Sequence, residues 1–273
     1  MLLLACVTPP DPVVESGAID TGPVVVEDYV PDVLCSPEER AGLIGLSRTG
    51  DDRVILGARI FDGPTPAMGL PAIEGPDCVF HLYEPGACDC DDDRVCAGDG
   101  SCRAEPRARF DLLVEVEGYG AFAADETTGL AYGDLGSAEE LYTLTVEVAG
   151  QRVELPPLQV GPRVEVEIEI DDNEMAPGEL IASWTPPETE GRMRTVIPIN
   201  HHAAPGTFTV CDVASSAGGF TASAEQIDPL AVVTGLEFQG MASLQGGHIP
   251  SSDGCIEVAA STGLRNEVTF VTR

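Results

Sequence analysis

The run Arg163-Val164-Glu165-Val166-Glu167-Ile168-Glu169-Ile170 alternates charge and hydrocarbon without a break, and that pattern fits a β-strand. Successive side chains of a strand point to opposite faces, whereas a helix would scatter these residues around its circumference. Val164, Val166, Ile168 and Ile170 are expected to face a core, with Glu165, Glu167 and Glu169 in water. Asp111–Glu117 and Leu141–Val148 alternate in the same way. Further strands are expected at Leu180–Thr185, Thr195–Ile199, Thr207–Val213, Leu236–Met241, Cys255–Ala260 and Glu267–Thr272. Turn signals fall roughly every ten residues, the spacing of a sandwich or barrel. The 30 glycines and 22 prolines suit short strands joined by turns. One short helical turn is expected at Ser223–Asp228, with Ser223 and Gln226 as a capping box and Pro229 as the stop.

The fold class expected is all-β: an antiparallel β-sandwich over residues 111–273, immunoglobulin-like in strand spacing, preceded by a disulfide-rich β region over 35–110. The likeness to immunoglobulin domains ends at spacing. Those domains run cysteine, tryptophan, cysteine, and here Trp184 precedes both Cys211 and Cys255. Trp184 is read as a core residue. In the 35–110 region strands are expected at Ala41–Ser47, Arg53–Phe61 and Cys78–Tyr83, with Gly63–Pro76 as an extended, proline-rich loop. No apolar run reaches the roughly 18–20 residues of a membrane helix.

Charge narrows the partners. The chain has 46 acidic and 14 basic residues, a net charge of −32, and all fourteen basic residues are arginine. Such a surface repels phosphate backbones, so no nucleic acid is expected, and it does not dock on anionic lipid. Cations, basic proteins or plain hydration remain, and a solubilising charge is the simplest reading.

Nine cysteines set the next constraint: Cys6, Cys35, Cys78, Cys88, Cys90, Cys96, Cys102, Cys211 and Cys255. Nine is odd, so one is left over when the rest pair. Four of them fall within Cys88–Cys102, a segment too short for a core of its own and dependent on cross-links. Eight cysteines allow 105 connectivities; the expected one is Cys88–Cys96, Cys90–Cys102, Cys35–Cys78 and Cys211–Cys255. A zinc site is disfavoured, because the spacing is C-x-C and an exported chain is oxidised. Calcium is the alternative cofactor. Asp89, Asp91 and Asp93 alternate as at the start of an EF-hand loop, and Asp99 lies close behind. Arg94 and Gly100 stand where that loop needs glycine and glutamate, so a solvated acidic loop is the simpler account.

The odd cysteine has a place. Leu3-Leu4-Ala5-Cys6 resembles the bacterial lipobox, in which the signal is cut before a cysteine whose thiol carries diacylglycerol. That resemblance implies lipidation of Cys6 and a membrane partner through the lipid. A signal needs a charged n-region and about 7–15 apolar residues, so residues 1–6 are read as the remnant of a signal that starts upstream. Residues 7–34 hold Pro9, Pro10, Pro12, Pro23 and Pro31, six acids and no base, as expected of an acidic linker. The Leu-Ala-Cys start, the C-x-C…C…C knot, and Ile181-Ala182-Ser183-Trp184-Thr185-Pro186 leading to Thr209-Val210-Cys211-Asp212 together resemble acidic cysteine-containing lipoproteins of myxobacteria-like genomes, a group without an assigned activity. The resemblance implies export to the cell envelope, on the outer membrane or cell surface.

No catalytic motif stands out. The chain contains no H-E-x-x-H, G-x-S-x-G or phosphate-binding glycine loop. Its histidines are His81, His201, His202 and His248, and adjacent strand residues such as His201 and His202 point to opposite faces. One tryptophan and 5% aromatic residues do not make a sugar-stacking cleft. The expected function is non-enzymatic: a lipid-anchored envelope protein that binds another envelope protein or an extracellular ligand, or that serves adhesion or structure. The alternatives are a secreted, calcium-dependent binding module and a β-sandwich hydrolase.

Overall fold

The computed structural model of the chain describes residues 25–36, 39–49, 51–64, 70–82, 89–91, 94–96, 100–137, 141–161, 164–171, 178–188, 190–198, 207–234, 239–262 and 264–271. The expectations for Cys6, Cys88, Asp93, Asp99, His201 and His202 lie outside the described residues. In chain order the strands begin with β1 (Val30–Pro31), β2 (Arg40–Arg48), β3 (Arg53–Ile60), β4 (Leu70–Glu74) and β5 (Cys78–Leu82). They continue with β6 (Arg94–Cys96), β7 (Cys102–Ala104), β8 (Leu112–Val116), β9 (Gly120–Ala123), β10 (Leu130–Ser137) and β11 (Leu141–Tyr142). Next come β12 (Leu144–Val148), β13 (Gln151–Glu154), β14 (Leu158–Gln159), β15 (Val164–Asp171), β16 (Leu180–Trp184) and β17 (Arg192–Pro198). The last are β18 (Phe208–Ala214), β19 (Gly219–Ala222), the helix α1 (Ala224–Thr234), β20 (Gln239–Ser251), β21 (Gly254–Thr262) and β22 (Leu264–Val271).

One ten-stranded sheet organises the fold, in the order β10-β3-β2-β21-β20-β17-β18-β5-β4, with β1 added beside β20. Strands from residues 35–110 and from 111–273 share this sheet, so the expected boundary at 110 does not divide it. Four-stranded sheets β13-β12-β8-β9 and β19-β16-β15-β22 lie against one face. Under the first, Ile44, Leu46, Leu56, Ile60 and Val258 pack on Leu112, Val114, Leu144 and Val146. Under the second, Phe80, Met193 and Ile197 pack on Val166, Ile168, Leu180, Trp184 and Phe220. Val164, Val166 and Ile168 are buried and Glu165, Glu167 and Glu169 exposed, as the alternation requires; the Ile170 side chain lies outside the described ones. Trp184 is buried, and its indole N–H donates to the Ser215 carbonyl at 2.8 Å.

Several expectations are corrected. Pairing is mainly antiparallel, but β2 runs parallel to β21 and β15 parallel to β22. Gly63–Pro76 contains β4, which tolerates Pro71 because it is an edge strand with a register shift between Pro71 and Ile73. The helix does not stop at Pro229 but runs to Thr234. Proline removes one backbone donor there, while burial of Ile227 and Leu230 in the second core holds the helix on. Its start is capped as expected in part: the Gln226 side chain accepts from the Ser223 N–H at 3.0 Å and donates to the Cys78 carbonyl.

Cross-links also differ. Cys35 is joined to Cys255 and Cys78 to Cys211, which replaces the expected Cys35–Cys78 and Cys211–Cys255 pairs. The sheet order explains both: β18 lies next to β5 with Cys211 opposite Cys78, and β21 starts beside β2, which brings Cys255 to the residues just before β2. Cys90–Cys102 is found as expected beside the β6–β7 hairpin. Cys96 is disulfide-bonded, and the expected partner Cys88 lies outside the described residues. Three disulfides of this kind mark a chain that folds in an oxidising compartment.

The ten-stranded sheet is also coiled. Arg194 stands opposite Ala242 of β20, and Glu257 of β21 stands opposite His248, six residues further along β20. A flat strand would put about 20 Å between those positions, yet Arg194 Nη1 lies 3.5 Å from Glu257 Oε1. Gly246 and Gly247 fall between them. A Cβ on Gly246 would collide with the Val258 carbonyl oxygen, and one on Gly247 with that of Val30. Gly246→Ala is therefore expected to destabilise the protein by roughly 3 kcal/mol through backbone overpacking. Denaturant unfolding with the disulfides intact measures this, and a change below about 0.5 kcal/mol would contradict the expectation.

Candidate functional site

The site is built where the N-terminal segment crosses the coiled sheet. Residues 25–34, expected to belong to an acidic, proline-rich linker, lie instead along β20. The Val26 bridge to Ser251, Glu27 N–H to the Pro250 carbonyl (2.9 Å), β1 against His248 and Gly247, and Asp32 N–H to the Gly246 carbonyl (2.9 Å) hold them there. Val26 and Tyr29 of the segment pack against the first core, and the unpaired edge of β20 and the Cys35–Cys255 bond supply its other partners. It passes over His248, whose Nδ1 lies 2.6 Å from the Val33 carbonyl oxygen.

Beneath and beside this strap lies a charged network. Glu257 is 4% exposed. Its Oε1 is 3.5 Å from Arg194 Nη1 and 4.0 Å from Arg40 Nη1, and its Oε2 has no hydrogen-bond partner among the described residues. Arg194 turns its other edge to Asp212, with Nη2 to Oδ2 at 2.9 Å and Nε at 3.2 Å. Arg192 donates from Nε to Asp212 Oδ1 at 2.7 Å and from Nη2 to the Asp212 carbonyl at 3.2 Å. Arg192 and Arg194 share a face because they sit two apart on β17, with Met193 turned into the core.

Arg192 also forms one wall of an open cleft of about 460 Å³. Asp32 and Leu34 of the strap face it from one side, Glu190, Arg192 and Ser216 from the other, and the β20 backbone at Gly246 closes it. Asp32 holds a left-handed backbone conformation (φ 61°). Burial pushes the nearby Tyr29 phenol up to about 12, and the negative charge of Asp32 adds to the effect.

The residues singled out from the sequence are not gathered here. Asp89 and Asp91 flank Cys90 ahead of the β6–β7 hairpin, and Asp91 uses its carbonyl to accept from Arg94 N–H at 2.9 Å. Among the described residues no three His, Cys, Asp or Glu side chains form a metal-binding group. His81 is buried on β5, stacked 4.8 Å from Phe208, and β17 and β18 separate it from His248. Conversely, the reading of the sequence missed Asp32, Glu190, Arg192, Arg194, Asp212 and Glu257. One signal was there: Glu257 is the lone acid in the apolar run Cys255–Ala260.

No protein-family model and no curated protein matches the chain.

The Tyr29 phenol gives a direct check on the strap. Its proton is held in the folded chain up to about 12, above the ordinary value of 10.0. The stabilisation is thus complete below pH 10 and is lost as pH rises toward 12. In difference absorbance titration of wild type against Tyr29→Phe, the missing phenol should titrate near pH 12. In Asp32→Asn its midpoint should fall. A Tyr29 midpoint at the ordinary value would mean that the strap is not seated.

Proposed function

We propose that this chain is a non-enzymatic protein of the cell envelope, anchored by lipid on Cys6, whose β-rich body carries a ligand-binding cleft at the end of an acidic tether. On the fold, the proposal takes the ten-stranded sheet and the sheets facing it as a β-sandwich. Cysteine parity carries the reading. All seven described cysteines are in disulfides. Seven require one more partner, and a total of nine leaves one over. Cys6 is the cysteine with a use for a free thiol, because Leu3-Leu4-Ala5-Cys6 is the tetrapeptide that lipoprotein processing reads. A diacylglycerol thioether supplies two acyl chains, enough for stable anchoring.

Cys35–Cys255 fits the same reading. It fastens the chain to β21 just behind the strap, so a pull from the membrane that peels residues 25–34 off β20 stops at a covalent bond. The oxidising compartment needed for the disulfides agrees with export. The net charge of −32 keeps such a body off the anionic lipid it is tethered to.

Metabolic labelling with palmitate in the native host tests the proposal. Wild type is expected to carry label and to fractionate with membranes. Cys6→Ser is expected to lose the label and leave the membrane fraction, and unchanged labelling and fractionation of that variant would overturn the anchor.

A further inference from the structure

We infer that the cleft between the strap and β17 binds a small zwitterion, of the class of a free amino acid or dipeptide, with its carboxylate on Arg192 and its ammonium between Asp32 and Glu190. Its volume of about 460 Å³ lies in the range of small-molecule sites, typically ~300–1,000 Å³.

The charged groups in the cleft keep open donors and acceptors. Several described arginines meet carboxylates elsewhere: Arg40 meets Glu257, Arg48 Asp52, Arg53 Asp134, Arg109 both Asp111 and Asp253, Arg152 Glu115, and Arg194 both Asp212 and Glu257. Arg192 is committed on one side only. Asp212 fixes its Nε and Nη2 and so orients the guanidinium, while no described residue takes the two N–H donors of Nη1. A guanidinium held in this way is preorganised for a second carboxylate. The acids opposite are in the converse state: neither the Asp32 nor the Glu190 carboxylate is hydrogen-bonded or ion-paired to a described residue. Asp32 is also positioned, by its backbone bond to Gly246 and by the Cys35–Cys255 cross-link three residues on.

These groups select a ligand with both charges. A divalent cation would meet the guanidinium beside the two carboxylates and be repelled. A simple anion would satisfy Arg192 but face Asp32 and Glu190, and a simple amine would leave Arg192 Nη1 unmet. A molecule with an ammonium and a carboxylate a few bonds apart meets all three groups.

This assignment deepens the binding role proposed above and rests on it for its biological setting, but its chemistry does not depend on the lipid. A failed titration would leave the Cys6 labelling result untouched, and the reverse also holds. The experiment is calorimetric titration of the oxidised protein with Ala-Ala, N-acetyl-Ala-Ala and Ala-Ala amide at low ionic strength. Ala-Ala is expected to bind saturably, and each blocked form to bind about tenfold or more weakly, the loss of one charged hydrogen-bonding partner. Arg192→Gln should bind Ala-Ala and its amide alike. Asp32→Asn and Glu190→Gln should instead erase the preference over the acetylated form, which keeps the test decisive if Arg192→Gln fails to fold. No saturable heat with Ala-Ala, equal binding of the blocked forms, or full affinity in all three variants would overturn the assignment.

Discussion

The Cys35–Cys255 disulfide is the constraint on which the arrangement at the site depends. It spans 220 residues, and in a chain-entropy account a loop of that length restricts the unfolded chain by about 5 kcal/mol. The Cys78–Cys211 bond lies inside that loop, so the two effects do not add in full. Its local consequence matters more. The bond ties the strap to the first residues of β21, where β2 joins the sheet in parallel. From there the strap follows β20 over His248 and sets Asp32 at the mouth of the cleft. Without that fastening, a short segment would hold its place by the packing of Val26 and Tyr29 and by a few edge hydrogen bonds, each worth about 1 kcal/mol net.

The second constraint is charge. With 46 acids to 14 arginines, the fold cannot pair its carboxylates one by one. On the strands it mainly sets neutral or basic residues beside them, although Glu167 stands opposite Glu267. Glu115 stands next to Thr145 and Ala121 and is bridged by Arg152, and Glu147 stands opposite Arg152 and Leu113. Asp125 is satisfied locally, its carboxyl held down to about 2 by the Thr128 hydroxyl and by the N–H groups of Thr128 and Thr127. Glu257 is the exception, buried where the coiled sheet brings Arg194 and Arg40 to it. A buried carboxylate of this kind is tolerated because cations meet it, and removing either partner would strand it. It is better read as a device that fixes the coil of the sheet than as a source of stability.

Local pattern made the strands legible in the sequence, because alternation is a property of neighbours. Val164–Ile168 and Asp111–Glu117 fall where hydrophobic period places them, whereas Cys255–Ala260 is a strand buried on both faces. What pattern cannot carry is which strand lies beside which. The expected pairs Cys35–Cys78 and Cys211–Cys255 join cysteines that are neighbours along the chain once the knot is set aside. The sheet pairs them by space, across β5–β18 and beside β2–β21. The site failed to show for the same reason. Asp32, Arg192, Asp212 and Glu257 come from four separate segments, and no spacing rule connects them. Pro229 misled in the opposite direction: a strong local signal was overridden by burial of Ile227 and Leu230. The N-terminal segment misled as well, since its composition reads as a linker and its order comes from β20.

Peptide mapping by mass spectrometry of the unreduced protein is the most direct test of this account. It predicts fragments joined through Cys35–Cys255 and Cys78–Cys211, together with Cys90–Cys102. Fragments joined through Cys35–Cys78 or Cys211–Cys255 would contradict the strand order, the seating of the strap and the cleft that depends on both.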